Sequence, residues 1–267
     1  MKTLFEIGPI TSNEPSILFL EIGETYLSAS IVDNKEKTIK AIRVYTFNLI
    51  GIEESVLETC NSLKGGASNF EKVFISAAFP EALLVPAKLF QNHDLIKTAY
   101  QLNDSICLQD HIAEWQIINS YAIASSLHNQ LQQTFPDAVF MHVYTPLLKI
   151  FNGFASEQQV AVYFVHNQFR VIVKKNQQVQ LVQTYTYTSP MDVVYYLLKI
   201  CLEFNLEQED TQVIISGFIE QNSALYKQLH NYFLNLHFAN NSFLRLPESE
   251  HPKHYFTSIN TLASCVL

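Results

Sequence analysis

Residues 159–187 read QVAVYFVHNQFRVIVKKNQQVQLVQTYTY. Gln159 to Val165 is an apolar run of strand length, His166-Asn167 is a turn, and Phe169 to Lys174 is a second strand. Lys175-Asn176 turns the chain again, and Val179 to Tyr187 is a third strand. Three short strands with short connections form an antiparallel meander. Ser189-Pro190-Met191-Asp192 follows as a helix start: Ser as N-cap, Pro at the first helical position, Asp three residues after the cap. That helix runs to about Phe204. Gln212 to Ser216 is a strand ended by Gly217. Leu225, Leu229, Tyr232, Phe233 and Leu236 mark an amphipathic helix. Phe238 to Leu246 holds a last short strand, and Tyr255 to Ala263 a terminal helix. The order is β-β-β-α-β-α-β-α.

The same order is found upstream. Ser16 to Ile22 is apolar on both faces, as a central strand requires. Gly23-Glu24 is a turn, Tyr26 to Val32 alternates, Asp33-Asn34-Lys35 turns, and Ile39 to Phe47 is a third strand. Ile52, Val56, Cys60 and Leu63 lie at helical spacing, and the helix stops near Lys64-Gly65-Gly66, with glycine at the C-cap. Lys72 to Ala77 is a short buried strand. Ile123, Leu127, Leu131 and Phe135 predict a helix, Ala138 to Val143 a strand, and Leu147 to Phe154 a helix. Between these elements, residues 78–121 read as an insertion. It holds a strand at Ala82 to Val85, a helix around Leu95, Ile96 and Ala99, and a strand at Ala113 to Asn119. Two copies of one element order, without residue identity, point to a duplicated domain. The division predicted is 1–155 and 156–267.

Composition narrows the chemistry. The chain has 267 residues, 48 % of them hydrophobic and 16 % charged, which describes a packed globular protein. Seventeen basic against 25 acidic residues give a net charge of −8, and the only arginines are Arg43, Arg170 and Arg245. An acidic, Arg-poor chain does not suit nucleic acid or an anionic membrane. Glycine numbers seven in 267, against an average near 7 %. Neither G-x-G-x-x-G nor G-x-x-x-x-G-K-[ST] occurs, so the usual phosphate loops are excluded. Cys60, Cys107, Cys201 and Cys265 form no C-x-x-C. Met1 to Ile10 lacks the apolar stretch of a secretory signal, and no apolar run reaches the ~18 residues of a membrane span. The expectation is a cytoplasmic protein with free thiols and no membrane insertion.

The duplicated order, α/β throughout, resembles the actin-like ATPase superfamily of actin, the Hsp70 ATPase domain and sugar kinases, whose single domain has the ribonuclease H-like fold. Leu20-Glu21-Ile22-Gly23, Phe79-Pro80, Leu84-Val85-Pro86, Trp115 to Ser120 and Ile215-Ser216-Gly217 also resemble a bacterial family of uncharacterised proteins with that fold. In the superfamily a first turn of the form D-x-G-[ST] positions a metal and opens the backbone to phosphate. Here it is Glu21-Ile22-Gly23-Glu24-Thr25: the Gly is present, Glu replaces Asp, and Glu24 adds a charge adverse to a polyanion. The second turn, usually D-x-G, is Phe164-Val165-His166-Asn167-Gln168, with neither Asp nor Gly. The Gly-Gly pair that packs under adenosine is Ile215-Ser216-Gly217-Phe218, with a bulky ring at one position.

The resemblance therefore implies a pseudoenzyme: no catalytic residue, no metal, no cofactor, and a role through an unidentified protein partner. Under the alternative, a divergent ATP-binding protein or small-molecule kinase, Glu21 would arrange Mg, and Gly23, Asn167, Ser216 and Gly217 would line ATP.

Other constellations have bland readings. Glu21 with Glu24, and His251 with His254, lack the further ligands a metal needs. Ser216-Gly217 lacks the first glycine of a nucleophile elbow, since Ile214 stands there. Lys64 to Ser68 is a helix end and loop, and Glu207 to Asp210 a solvated acidic loop. Thr184-Tyr185-Thr186-Tyr187 could present rings to a partner, although Tyr and Thr are also ordinary strand formers.

Overall fold

The computed structural model describes residues 2–9, 15–47, 52–66, 70–151, 157–240, 243–246 and 251–267. Ala67 and Ser68, residues 152–154 of the helix expected to reach Phe154, residues 241 and 242 of the last expected strand, and the junction expected at 155/156 lie outside them. The chain divides into two units. The first is Met1–Lys149 with Phe243–Ser249 and Ala263–Leu267; the second is Ile150–Ser242 with Glu250–Leu262.

In chain order the first half comprises β1 (Lys2–Ile7), β2 (Ser16–Gly23), β3 (Tyr26–Asp33), β4 (Thr38–Thr46), α1 (Ile52–Gly66), β5 (Phe70–Ala78), β6 (Ala82–Pro86), α2 (Asp94–Tyr100), β7 (Ser105–Ile112), β8 (Ile117–Ala124), α3 (Ser125–Thr134), β9 (Val139–His142) and α4 (Tyr144–Phe151). Its main sheet has the order β1-β4-β3-β2-β5-β9. The meander β2-β3-β4 is antiparallel, and β5 and β9 are added parallel. Every residue of β2 is buried, which explains its unbroken apolar run. Leu18, Leu20 and Ile22 on one face meet Val56, Cys60 and Leu63 of α1 and Leu127 and Leu131 of α3. Each such buried aliphatic side chain contributes roughly 1.5–3 kcal/mol. On the other face Phe19 stacks on Phe74 at 5.4 Å between ring centroids.

Three details differ from the sequence reading. β1 pairs with β4, and Glu6 meets Arg43 at 3.1 Å; the sequence suggested no strand there. Residues 113–119 are not one strand. Ala113–Trp115 is a 3-10 turn, Gln116 takes a left-handed conformation at φ 52°, and β8 begins at Ile117. The turn lets β8 run back along β7, with Ile112 opposite Ile117, in a separate sheet of order β6-β8-β7. Ile123 belongs to β8 rather than to a helix. Its spacing from Leu127 looked helical because both reach the same core cluster.

The second half comprises β10 (Gln158–Val165), β11 (Gln168–Lys175), β12 (Gln178–Thr186), α5 (Pro190–Glu203), β13 (Gln212–Gly217), α6 (Ala224–Tyr232), β14 (Leu236–Phe238) and α7 (Thr257–Val266). Its sheet is β12-β11-β10-β13-β14. The order third, second, first, fourth, fifth is that of β4-β3-β2-β5-β9, with the same antiparallel and parallel pairings. The repeated α/β architecture is thus that of two ribonuclease H-like sheets, as an actin-like ATPase fold requires. Ser189 caps α5: its Oγ accepts from the Asp192 N–H, and Asp192 accepts from the Ser189 N–H at 2.9 Å. Leu236 lies in β14 rather than at the end of α6, and that strand stops at Phe238. Parallel pairing with β13 buries Leu236 in the second core and outweighs its helical spacing from Tyr232.

Glycine scarcity appears in the backbone. Among the described residues, seven other than glycine adopt positive φ: Lys37, Gln101, Gln116, His166, Asn176, Gln177 and Asn205. Each costs roughly 1–2 kcal/mol relative to glycine in that region.

Candidate functional site

The first turn lies in the first unit, at the end of β2. Glu21 is 7 % exposed and stands opposite Ser76 of β5 and Ser28 of β3. The Tyr26 hydroxyl donates to Glu21 Oε1 at 2.5 Å. The Tyr26 ring, fully buried, lies across Gly23: a Cβ built on Gly23 would come within 2.4 Å of Tyr26 Cε1. The absent side chain of Gly23 therefore makes room for a ring of the same chain, and Tyr26 joins Glu21 and Gly23 into one packed group. Sequence reasoning counted Tyr26 only as the start of a strand. Its register just beyond the turn, on a chain rich in tyrosine, was the available signal.

Glu24 faces a cavity of about 300 Å³ within the first unit, lined also by Glu53, Glu81, Phe79 and Leu127. Burial raises the Glu24 carboxyl above its ordinary range, and the nearby charge of Glu81 raises it further. Three carboxylates around one cavity set a field that opposes phosphate.

The second turn connects β10 to β11. His166 takes φ 47°, the left-handed conformation that glycine would adopt there. His166 Nδ1 lies 3.0 Å from Asn167 Oδ1. The Asn167 carbonyl accepts from the Tyr187 N–H at 3.0 Å, and the Tyr187 hydroxyl donates to the His166 carbonyl at 3.2 Å. The turn is tied to the strand beside it.

The third turn follows β13. Gly217 has φ +79°, and a Cβ on it would sit 2.0 Å from the Phe164 carbonyl oxygen. This glycine serves a close approach of β13 to β10, where Gly217 pairs with Phe164 and the Phe218 N–H donates to the Phe164 carbonyl at 2.9 Å. Ser216 is buried at the same strand end. Both turns adjoin the end of β10: Asn167 lies in the turn that follows it, and Gly217 pairs with its Phe164. An aromatic series continues from Phe218: Tyr255 at 5.6 Å, His254 against Tyr255 at 5.3 Å, Phe238 on His254 at 4.1 Å, and Tyr226 on Phe238 at 5.3 Å. His254 Nε2–H donates to the Ile219 carbonyl at 2.7 Å, and burial holds the ring below the usual histidine range. His254 is thus a stacked, hydrogen-bonded packing residue. Among the described residues no three His, Cys, Asp or Glu side chains converge on a metal position.

One polar cluster escaped the sequence reading. Asp110, on the unanticipated β7, accepts from the Thr145 hydroxyl at 2.6 Å and from the His142 N–H at 2.7 Å, and bonds the Tyr121 hydroxyl. Burial nevertheless raises its carboxyl. His142 Nδ1 accepts from the Tyr144 N–H and its Nε2–H donates to the Phe79 carbonyl, a pair of bonds that fixes the ring's orientation. These bonds fasten the inserted sheet to β9 and the start of α4.

Residues 9–236 match a family described as protein of unknown function, DUF3822. The chain belongs to this family. No curated protein matches the DUF3822 chain. Solved structures share its fold. A protein of Bacteroides thetaiotaomicron VPI-5482, described as having an actin-like ATPase fold and unknown function, is 15 % identical with a TM-score of 0.78, covering 94 % of this chain and 96 % of the other. The PilM-PilN type IV pilus biogenesis complex has a chain 10 % identical with a TM-score of 0.61, covering 94 % and 98 %. The ethanolamine utilization protein EutJ of Carboxydothermus hydrogenoformans is 6 % identical with a TM-score of 0.52, covering 96 % and 92 %. At these identities the likeness establishes the actin-like fold. Among the described residues of the DUF3822 chain, no helix is long and apolar enough to cross a membrane.

Proposed function

We propose that this chain is a non-catalytic member of the actin-like fold that acts by binding protein, its nucleotide turns having been filled by its own side chains. The observation that carries this reading is the packing of Tyr26 on Gly23 with its hydroxyl on Glu21. In the superfamily turn, that glycine and that carboxylate would serve phosphate and metal. Here one tyrosine engages both. His166, Gly217 and Phe218 support the same reading, since each is engaged with its own sheet or its own aromatic series. The PilM-PilN complex is a precedent for a protein of this fold in assembly with another. Four free cysteines fit a cytoplasmic setting.

Thermal unfolding with and without Mg-ATP tests the proposal, because a ligand that binds the folded state raises Tm by mass action. The expected result is the same Tm at millimolar Mg-ATP. A concentration-dependent rise in Tm would overturn it in favour of a divergent ATP-binding protein. Affinity capture from cell extract, with the eluate identified by mass spectrometry, then reads the partner.

A further inference from the structure

We propose that the cavity at Glu24, Glu53 and Glu81 is the docking point for this chain's protein partner, and that it receives an arginine side chain which the partner presents. This rests on the protein-binding reading above and names the chemistry of the group that is bound. The cavity lies wholly within the first unit and measures about 300 Å³, at the small end of ligand cavities. Glu24 enters it from the turn after β2, Glu53 from the first turn of α1, and Phe79 and Glu81 from the segment between β5 and β6. Buried Ala122 of β8 and Leu127 of α3 add apolar wall. No lining residue is basic. An apolar interior thus carries charge of one sign.

The carboxylates are not equivalent. Glu53 is accounted for locally: it lies at the N-terminus of α1, which favours negative charge, and it accepts from the Ser126 hydroxyl at 2.9 Å. Glu24 and Glu81 have no such support. Among the described residues, neither carboxylate takes part in an ion pair or accepts a hydrogen bond. Burial pushes the Glu24 carboxyl up, and the charge of Glu81 pushes it further. A cation seated between them would turn that repulsion into attraction. The segment that holds Phe79 and Glu81 is already braced. The Ala122 N–H donates to the Glu81 carbonyl at 2.9 Å, the Ala82 N–H to the Pro80 carbonyl at 2.8 Å, and the Tyr100 hydroxyl to the Ala82 carbonyl at 3.0 Å. Little ordering is needed on binding.

Charge complementarity selects the occupant. A metal ion needs ligands that converge, and among the described residues no three His, Cys, Asp or Glu side chains do so. An organic cation can reach carboxylates that stand apart. Arginine matches each surface present: its methylenes suit the apolar wall, its weakly hydrated plane stacks on a ring such as Phe79, and its donors reach Glu24 and Glu81. A compact, strongly hydrated ammonium fits an apolar interior less well. Tyr100, whose hydroxyl is fixed next to Glu81, is 39 % exposed. It offers a ring to the residues that flank the arginine, and Tyr and Arg are the groups on which protein contacts concentrate. The net charge of −8 draws a basic segment toward the chain.

Titration of the isotope-labelled full chain with N-acetyl-arginine methylamide, followed by nuclear magnetic resonance, tests this. The expected result is saturable shifts at the Glu24, Phe79 and Glu81 amides with a millimolar dissociation constant, and none with the uncharged citrulline analogue. The double variant Glu24→Gln/Glu81→Gln should bind at least about tenfold more weakly, with unchanged circular dichroism. Peptides selected from a random library on the wild-type chain should share an arginine whose replacement by citrulline costs a similar factor. No saturable shift, equal binding of the citrulline compound, or undiminished binding by the double variant would overturn the proposal. So would selected peptides that need no arginine, which would leave the cavity to a free small cation. The Mg-ATP melts read a different property. An unchanged Tm together with no arginine binding strikes this docking point alone, whereas a rise in Tm strikes the reading beneath it.

Discussion

The Tyr26 hydroxyl donates to the Glu21 carboxylate at 2.5 Å while the ring of Tyr26 lies against the backbone of Gly23. One side chain thus satisfies a buried acid and fills the space beside a glycine. Tyr26→Phe keeps the ring and removes the donor, leaving a buried carboxylate with one bond fewer. Stability in urea should fall by about 1–3 kcal/mol. Gly23→Ala should also destabilise, and the double variant Gly23→Ala/Tyr26→Ala should lose less than the sum of the single changes. Strict additivity would show that the contact carries no energy.

Glycine at two other positions should respond in opposite directions. Gly217→Ala forces a Cβ into the Phe164 carbonyl at positive φ. It should lower stability by more than about 2 kcal/mol. Gly65 lies in α1 with nothing within 4 Å of a new Cβ, so Gly65→Ala should raise stability by roughly 0.5–1 kcal/mol. Paired denaturant curves check both signs.

Asp110 predicts a pH dependence. Burial raises its folded pKa above the unfolded value, against the bonds from Thr145 and His142. A raised carboxyl binds its proton more tightly in the folded state, so its favourable contribution is present at low pH and lost as pH rises through the folded pKa. Wild-type stability relative to Asp110→Asn should therefore increase as pH falls from 7 into the ordinary carboxylate range. A difference that stays flat, or moves the other way, would refute this.

Asp192 predicts the reverse slope. Hydrogen bonds from the Thr188 and Ser189 N–H groups, with those from their side chains, hold its pKa down to about 2. Its contribution should be intact above the ordinary Asp range and vanish as pH falls toward 2. Asp192→Asn should therefore destabilise at pH 7 and have little effect near pH 2. Ser189→Ala removes the cap acceptor and should cost about 1 kcal/mol at neutral pH. Far-UV circular dichroism during thermal unfolding reads both.

The fold was legible because its deciding strands carry strong local signals. β2, β10 and β11 are buried almost throughout, and the Ser189-Pro190-Asp192 cap is unambiguous chemistry. β7 was not legible. Its sequence, SICLQDHI, is mostly half-buried and mixes Asp110 and His111 with apolar residues, because one strand serves both a sheet and a polar anchor. Leu236 and Ile123 misled for a different reason. Each lies four residues from a helical neighbour, but its burial comes from a strand. At the candidate site, the loss of Asp and Gly from the turns was visible in the sequence. The occupation of Gly23 by Tyr26 was not, because it depends on how the chain after the turn folds back.

Among the described residues, the seven left-handed ones that are not glycine have a consequence beyond their energetic cost. A glycine corner is chemically blank, since only backbone meets the surroundings. Lys37, Gln101, Gln116, His166, Asn176, Gln177 and Asn205 instead place amides, an imidazole and an ammonium at corners of the chain. A chain that bends on such residues presents donor and acceptor side chains at its corners, where glycine would present only backbone.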